Sequence, residues 1–398
     1  MIDGSNQSRP VVAINFPFAD TSWLGGANSI RYLLNAYHQL PNRLLDLVIV
    51  APTMIPGIIA KSLPPLPIWH TAMLDDGSRM SFVRRIVRRL TGRDWIMEQW
   101  LRRRGAALFS HADPLGVGAG LPVIGYVTDL SVHHLTDLYS EEDLAVQQRY
   151  IERILASVDT VLLMSHAVDR DFDRFYGKER AIREVAHVVP IVPPRDRSAE
   201  ALAIQHYGLP ENFFYLPNKF WIHKNHAVMV EALGILRAAG TPLCVVCSGV
   251  TGDERQPGHF EALMARVAEL GIADDFRVLG LIPGADVNAL LRASIAVVSP
   301  SLHEGWGLTI AEAREMGKAV ILSDIPVFRE QAPSRARFFD PDDAHALAAV
   351  LYDAETHFDR MLDDQAQADA ATTHRANQDA YARRYETIVL DTLARRSR

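Results

Sequence analysis

The sequence predicts an α/β protein made of two doubly wound domains in succession, facing one another across a central cleft. Three observations predict it. Short apolar runs of strand length alternate with amphipathic stretches of helix length, the pattern of parallel sheets covered by helices. The alternation breaks in a proline-bearing polar stretch at 190–210 and then starts again, which sets the expected domains at 1–195 and 196–375. The chain has 398 residues, 48% apolar and 22% charged, enough for two ordinary globular cores.

Val11–Phe16 reads as the first buried strand. A loop containing Trp23-Leu24-Gly25-Gly26-Ala27 follows, and Ser29–Leu40 reads as an amphipathic helix. Strand, glycine turn and helix form a phosphate-facing arrangement, although the spacing is not G-x-G-x-x-G, and a plain tight turn is the alternative. Leu45–Val50 is the second strand, and Met54–Pro67 reads as irregular. Arg79–Arg104 holds nine arginines, with Phe82, Ile86 and Leu90 at helical spacing. It reads as a basic helical pair: either a peripheral contact for anionic lipid or a lipid-diphosphate acceptor, or a helix with a solvated arginine face. Ala106–Ser110 and Val123–Thr128 are further strands, the second running into Asp129. Glu141–Ser157 is a long helix, Thr160–Ser165 a strand, and Val185–Pro190 closes the set.

The second set opens with the strand Phe213–Leu216. Pro217-Asn-Lys-Phe-Trp-Ile-His-Lys-Asn-His226 follows, then a helix over Ala227–Ala239. Lys219 and Lys224 bracket a turn at a helix N-terminus, where the dipole disfavours cations unless an anion lies between them. Cys244–Ser248, Arg277–Gly280, Ile295–Ser299 and Ala319–Ser323 are the remaining strands, with helices at Phe260–Leu270, Asp286–Ala293, Leu308–Met316 and from Asp343 to Ala354. The chain is organised around His303-Glu304-Gly305-Trp306-Gly307-Leu308-Thr309-Ile310-Ala311-Glu312. A strand ends, a glycine loop turns and a helix begins, so free backbone amides at Gly305, Trp306, Gly307 and Leu308 can hold a phosphate. Carboxylates beside an anion site repel the anion, so Glu304 and Glu312 are expected to accept hydrogen bonds from hydroxyls. Phosphate flanked by hydroxyls describes a nucleotide-sugar.

The Glu304-x7-Glu312 motif, with Ala-Val-Ile-Leu-Ser-Asp324 after it, resembles the donor site of retaining glycosyltransferases of the GT-B fold, closest to family four. The resemblance covers nearly the whole chain, most specifically 213–226 and 295–330. It implies a hexose donor held mainly by the second domain and an acceptor on the first. Gly25 and Gly26 would let the loop approach the donor diphosphate, and Lys219 and Lys224 would grip it in place of the usual Gly-Arg-x4-Lys. Backbone atoms of Leu279–Ile282 would hold the base, Glu312 the ribose and Glu304 the donor sugar. Lys224, Glu304 and Asp129 would act at the reacting centre. Where the family usually has His-Asp, this chain has Thr128-Asp129, with His133 and His134 close behind as substitutes. A basic C-terminal helix, Ala376–Arg395, would cross back to the first domain. The aromatic run around Lys219 is similar to O-antigen and capsule mannosyltransferases, so GDP-mannose is the favoured donor and a UDP-sugar the other. The acceptor would be a glycan or lipid-linked glycan.

The net charge of −7 argues against nucleic acid as a partner. No apolar run spans a bilayer, and residues 1–10 lack a signal-peptide core, so a cytoplasmic protein is expected, with peripheral contact at the inner face of the membrane through Arg79–Arg104. Cys244 and Cys247 lie on a strand and read as reduced thiols. No well-placed Asp-x-Asp exists, so neither a metal nor a cofactor is expected. A nucleotide-sugar epimerase and a non-catalytic donor-binding subunit are the other readings; the missing G-x-G-x-x-G disfavours a dinucleotide oxidoreductase.

Overall fold

A computed structural model describes residues 8–18, 24–253, 255–331 and 333–397. The chain divides into two compact units, one of residues 1–130, 141–191 and 376 onward, the other of 131–140 and 192–375. The short segment 131–140, read from the sequence as part of the first domain, groups with the second.

The first unit holds β1 (Val11–Asn15), α1 (Leu24–Gln39), β2 (Asp46–Ala51), α2 (Gly57–Ala60), β3 (Ile68–His70), α3 (Arg79–Thr91), α4 (Trp95–Arg103), β4 (Ala106–Ser110) and β5 (Val123–Val127). After α5 (Ser131–His134), which belongs to the second unit, come α6 (Glu141–Ser157), β6 (Thr160–Leu163), α7 (His166–Tyr176) and β7 (Arg183–Val185). The seven strands are parallel in the order β3-β2-β1-β4-β5-β6-β7. Strands covered on both faces read as continuous apolar runs, and β1, β2 and β6 do so because both faces are buried.

The second unit holds α8 (Arg197–His206), β8 (Phe214–Leu216), α9 (His226–Ala238), β9 (Val245–Cys247), α10 (His259–Glu269), β10 (Phe276–Val278), α11 (Gly284–Ala293) and β11 (Val297–Ser299). It continues through α12 (Leu308–Glu315), β12 (Val320–Ser323), α13 (Pro326–Gln331), β13 (Ala336–Phe339), α14 (Ala344–Thr356) and α15 (Arg360–Arg396). Its six parallel strands run β10-β9-β8-β11-β12-β13. The strand order reverses between β8 and β11, and ligands of open parallel sheets bind beyond the carboxyl ends at such a reversal.

Several sequence expectations need correction. The first helix starts at Leu24, not Ser29, so Gly25 and Gly26 lie in its first turn; Ser29 Oγ donates to the Gly26 carbonyl at 2.8 Å and ties that turn. Trp23 lies outside the described residues. The stretch read as irregular contains α2, and β3 follows it at the sheet edge. The expected interdomain link contains α8, started by Asp196, whose side chain accepts from the amides of Ser198 and Ala199. The last helix is not a short tail: α15 runs for 37 residues, beginning in the second unit and ending in the first. Its last turns are held by polar contacts there, with Glu386 accepting from Tyr37 Oη at 2.6 Å and from the Leu44 amide at 2.7 Å.

Candidate active site in the second unit

The loops after β8 and β11, the two strands at the reversal, carry the residues singled out by the sequence. After β8 the chain passes Lys219 and makes a short 3-10 turn, Ile222–Lys224. Asn225 then takes a left-handed conformation (φ 55°) and donates to the Pro341 carbonyl at 2.9 Å before α9 begins. After β11, Ser301, Glu304 and the glycine loop lead into α12. Leu302 N donates to the His223 carbonyl at 2.8 Å, so the two loops are joined backbone to backbone.

This juxtaposition brings Lys224 and Glu304 together. Lys224 Nζ lies 2.5 Å from Glu304 Oε1, and Ser301 Oγ donates to the same oxygen at 2.8 Å. Both side chains are largely buried, 15% and 13% exposed. Burial alone would push the Glu304 carboxyl up; the Lys224 charge and the hydrogen bonds from Lys224 and Ser301 outweigh it and hold the group below the ordinary carboxylate value. Glu304 is therefore a fixed anion next to a fixed cation. The sequence reading had Glu304 waiting for hydroxyls and Lys224 for an anion; each instead has the other as a first partner, because two buried charges of opposite sign neutralise one another at short range.

Lys219 stands differently. Its ammonium sits 4.4 Å from the Trp221 ring centre, and the Arg255 guanidinium sits 4.5 Å from the same ring. Burial first, and then the Lys224 and Arg255 charges, hold the Lys219 ammonium below its ordinary value, with Asp253 pulling the other way. Three cations thus crowd one corner, and an anion placed among them relieves their repulsion. Arg255 lies in the loop after β9 and is aimed by Asp253, which accepts its Nε at 3.0 Å. Sequence reasoning missed it, since nothing in Gly252-Asp253 through Arg255 marks a site. Tyr139, in the segment that groups with this unit, accepts from Arg255 Nη1 at 3.4 Å. From the same segment His134 stacks on His303 with ring centres 4.5 Å apart. An imidazole pair therefore stands one residue from Glu304.

Gly307 caps α12 with φ 78° and ψ 71°, a left-handed conformation that favours glycine. The first amides of the helix beyond it, Leu308 and Thr309, have no intrahelical partner by the geometry of a helix start. A Cβ at Gly307 would stand 2.8 Å from Cε1 of the buried Phe328 ring. Gly307→Ala is expected to lower thermal stability by several degrees, since a left-handed residue with a Cβ costs roughly 1–2 kcal/mol before the clash. An unchanged melting curve would mean the loop relaxes freely and does not hold the helix start in place.

Trp306 is 2% exposed, and its carbonyl accepts from Gln331 Nε2. Its side chain is buried, which is compatible with the expectation that Trp306 offers its backbone amide rather than its ring. Glu312 lies inside α12, partly buried. His226, at the start of α9, is fully buried and stacks on Phe220 at 4.2 Å; burial pushes its pKa down to about 3, so it is a neutral packing residue. Gly280 turns with φ 68° and accepts from the Gly249 amide at 2.8 Å, leaving Leu281 75% exposed beside it. In the first unit, Asp129 follows β5 and accepts from Thr128 Oγ1 at 3.3 Å. Gly25 and Gly26 are also in that unit, in the first turn of α1.

Comparison with known proteins adds to this geometry. Residues 203–370 match the family model of glycosyl transferases group 1. An O-antigen chain mannosyltransferase, RfbU of Salmonella typhimurium, is 27% identical over 145 residues, 36% of this chain and 39% of that protein. A D-inositol 3-phosphate glycosyltransferase of Salinispora arenicola is 32% identical over 150 residues, 36% of this chain and 33% of its own. The matched region therefore spans well under half the length of these relatives. The crystal structure of Anabaena Alr3699/HepE in complex with UDP and glucose superposes with a TM-score of 0.68 at 14% identity, covering 96% of this chain and 100% of that one. Two parallel-sheet units in these strand orders, with that likeness, are the GT-B fold.

Proposed function

We propose that this chain, which carries a group 1 glycosyltransferase domain on a GT-B fold, transfers a hexose from a nucleoside-diphosphate sugar to a hydroxyl of a glycan or lipid-linked glycan, with GDP-mannose as donor. The observation that carries the reading is the convergence of Lys219, Lys224, Arg255 and the α12 start at the carboxyl ends of β8, β9 and β11, beside the fixed carboxylate of Glu304. Cations and amides suit a diphosphate; a buried carboxylate suits sugar hydroxyls. The O-antigen mannosyltransferase likeness supports mannose. The UDP bound in the HepE structure keeps a UDP-sugar as the second candidate.

In this reaction the bond from the anomeric carbon to the β-phosphate oxygen breaks. The acceptor oxygen bonds to that carbon, and the acceptor proton passes to the departing phosphate oxygen, giving a glycoside and a nucleoside diphosphate. Negative charge grows on the diphosphate, where Lys219, Lys224, Arg255 and the Leu308 and Thr309 amides lower its energy. The clustered cations supply the charge a divalent ion would otherwise bring, so transfer is read as metal-independent. Positive charge grows on the sugar, beside Glu304. The leaving diphosphate guides the acceptor to its own face, which retains configuration. Glu312 is assigned to the ribose, and Asp129 of the first unit to the acceptor side.

The test is thermal unfolding with GDP, UDP, dTDP and ADP. A ligand at about 100 times its Kd adds ~2.7 kcal/mol. GDP is expected to raise the midpoint most, and Lys224→Ala to abolish the rise. No rise with any of the four removes the nucleotide-sugar reading.

A further inference from the structure

Helix α3 is built inside out. Phe82, Ile86 and Leu90, each four residues on from the last, form an apolar stripe, and the usual fate of such a stripe is burial. Here they are 59%, 42% and 80% exposed, with Val83 47% exposed beside them. The side turned to the protein is polar. Arg84, 13% exposed, donates to Asp94 at 2.7 Å and to the Met73 carbonyl at 3.1 Å. Arg88 pairs with Asp113 at 3.6 Å. The two acids of the segment, Asp94 and Glu98, are 1% and 0% exposed and are paired with Arg84 and Arg93. Nothing anionic from Arg79–Arg104 reaches solvent, while Arg79, Arg85, Arg89, Arg102, Arg103 and Arg104 do.

Arginines also line a groove of about 560 Å³ beside the stripe: Arg85, Arg88 and Arg89 from α3 and Arg153 from α6, with the 74% exposed Val117 at its side. Arg153 and Ser157 are on the last turn of α6, which leads into β6, so the groove lies at the edge where the strands begin. Sites for the main ligand of a parallel sheet form at the opposite edge, and this groove is therefore a separate feature. At the other end of the segment Trp95 is 43% exposed under the Arg93 guanidinium, 3.7 Å from its ring centre. Indole beside arginine is the pairing found at the headgroup level of membranes.

We propose that α3 docks the first unit on an anionic phospholipid bilayer, the apolar stripe entering the acyl boundary and the Arg85–Arg88–Arg89–Arg153 groove holding a lipid phosphate. Charge decides the occupant. An apolar stripe rimmed by exposed arginines, Arg85 and Arg89 beside the Asp113-paired Arg88, complements a surface that is apolar within and negative above. A second copy of this face would set the same arginines against one another. A free phosphate would fill the groove and leave the stripe uncovered. No helix among the described residues is long and apolar enough to cross a membrane, so attachment would be peripheral.

The surface lies wholly in the first unit, so binding is measured on the full chain without donor or acceptor and is independent of the transfer reaction. Flotation with phosphatidylcholine vesicles, with and without phosphatidylglycerol, is expected to show binding only to the anionic ones, falling as salt rises. Each arginine near such a surface contributes about fivefold, so Arg85→Ala/Arg89→Ala/Arg153→Ala should reduce partitioning by roughly 100-fold. Phe82→Ser/Leu90→Ser, at exposed positions that leave the fold intact, should also release the protein. Far-ultraviolet circular dichroism of each variant guards against unfolding. Equal binding to neutral vesicles, no binding to either, or full binding by both variants overturns the proposal. So does a dimer in sedimentation velocity that Phe82→Ser/Leu90→Ser dissociates in the absence of lipid.

Discussion

Lys224→Ala is expected to reduce hexosyl transfer by about 100- to 1,000-fold, the loss seen when one electrostatic stabiliser of a developing oxyanion is removed, and to weaken nucleoside diphosphate binding in parallel. The substitution does two things at once. It takes one cation from the corner shared with Lys219 and Arg255, and it leaves Glu304 buried with Ser301 as its remaining hydrogen-bond donor of the two. The second effect has a pH signature. In the native chain the Glu304 carboxyl is held below its unfolded value, because Lys224 and its hydrogen bonds overcome burial. That pair therefore stabilises the fold above the ordinary carboxylate pKa and ceases to do so as pH falls through the lowered value. Without Lys224, burial dominates and the sign reverses: the variant should gain stability relative to the native chain on mild acidification. Denaturant unfolding at neutral and mildly acid pH reads this directly.

Glu304→Gln separates the two roles. It keeps the ammonium and frees it for an anion, so calorimetric binding of the nucleoside diphosphate should persist or tighten while transfer falls. If Glu304→Gln loses nucleotide binding as completely as Lys224→Ala, the pair is a structural strut and the assignment of Glu304 to the donor sugar is wrong.

Much of this fold was legible because fully covered parallel strands leave continuous apolar runs, such as Val11–Asn15 and Asp46–Ala51. What escaped has physical reasons. Gly25 and Gly26 argue against helix by propensity, yet they occupy the first turn of α1, where few intrahelical bonds are at stake. The strand Ile68–His70 sits at the sheet edge with no fully buried residue, so it carries no apolar run. The loop Glu304–Gly307 was found from its glycines and its neighbouring strands. The Lys224–Glu304 bond joins residues 80 apart, and Arg255 arrives from a third loop; spacing along the chain encodes neither. The stripe on α3 was visible as a period of four, but a period fixes which residues share a face and not whether that face looks inward.

The largest expected loss of stability comes from a residue without any part in the chemistry. Asp363, in the first turn of α15, and Lys318, at the end of the α12–β12 turn, form an ion pair at 2.7 Å with both side chains fully buried. Asp363 also accepts from Arg335 at 2.7 Å and Gln367 at 2.9 Å, and Lys318 donates to the Ser294 carbonyl at 2.6 Å. Breaking such a pair from one side strands a charge, at a cost of about 3–5 kcal/mol. The two sides are not equivalent. Asp363→Ala strands the ammonium with a single carbonyl, and leaves Arg335 with the Gly317 carbonyl and Gln367 with the Arg292 carbonyl as their remaining acceptors. Lys318→Met leaves Asp363 with both of those partners and fills the same volume with apolar atoms. Asp363→Ala should therefore lower the melting midpoint of the second unit by roughly 10 °C, and Lys318→Met by clearly less. Lys318→Met/Asp363→Leu should recover part of the loss of Asp363→Ala, because the stranded charge is gone. The pH dependence adds an independent check. Burial lowers the Lys318 ammonium to about 8, against the pull of Asp363. Between that value and the ordinary lysine pKa the unfolded chain binds more protons, so this group makes the native chain more stable as pH rises. Relative to Lys318→Met, the native chain should gain stability from pH about 8 upward; a difference between the two that stays constant across that window would show that Lys318 remains charged in the fold and that its carboxylate partner, not burial, sets its state.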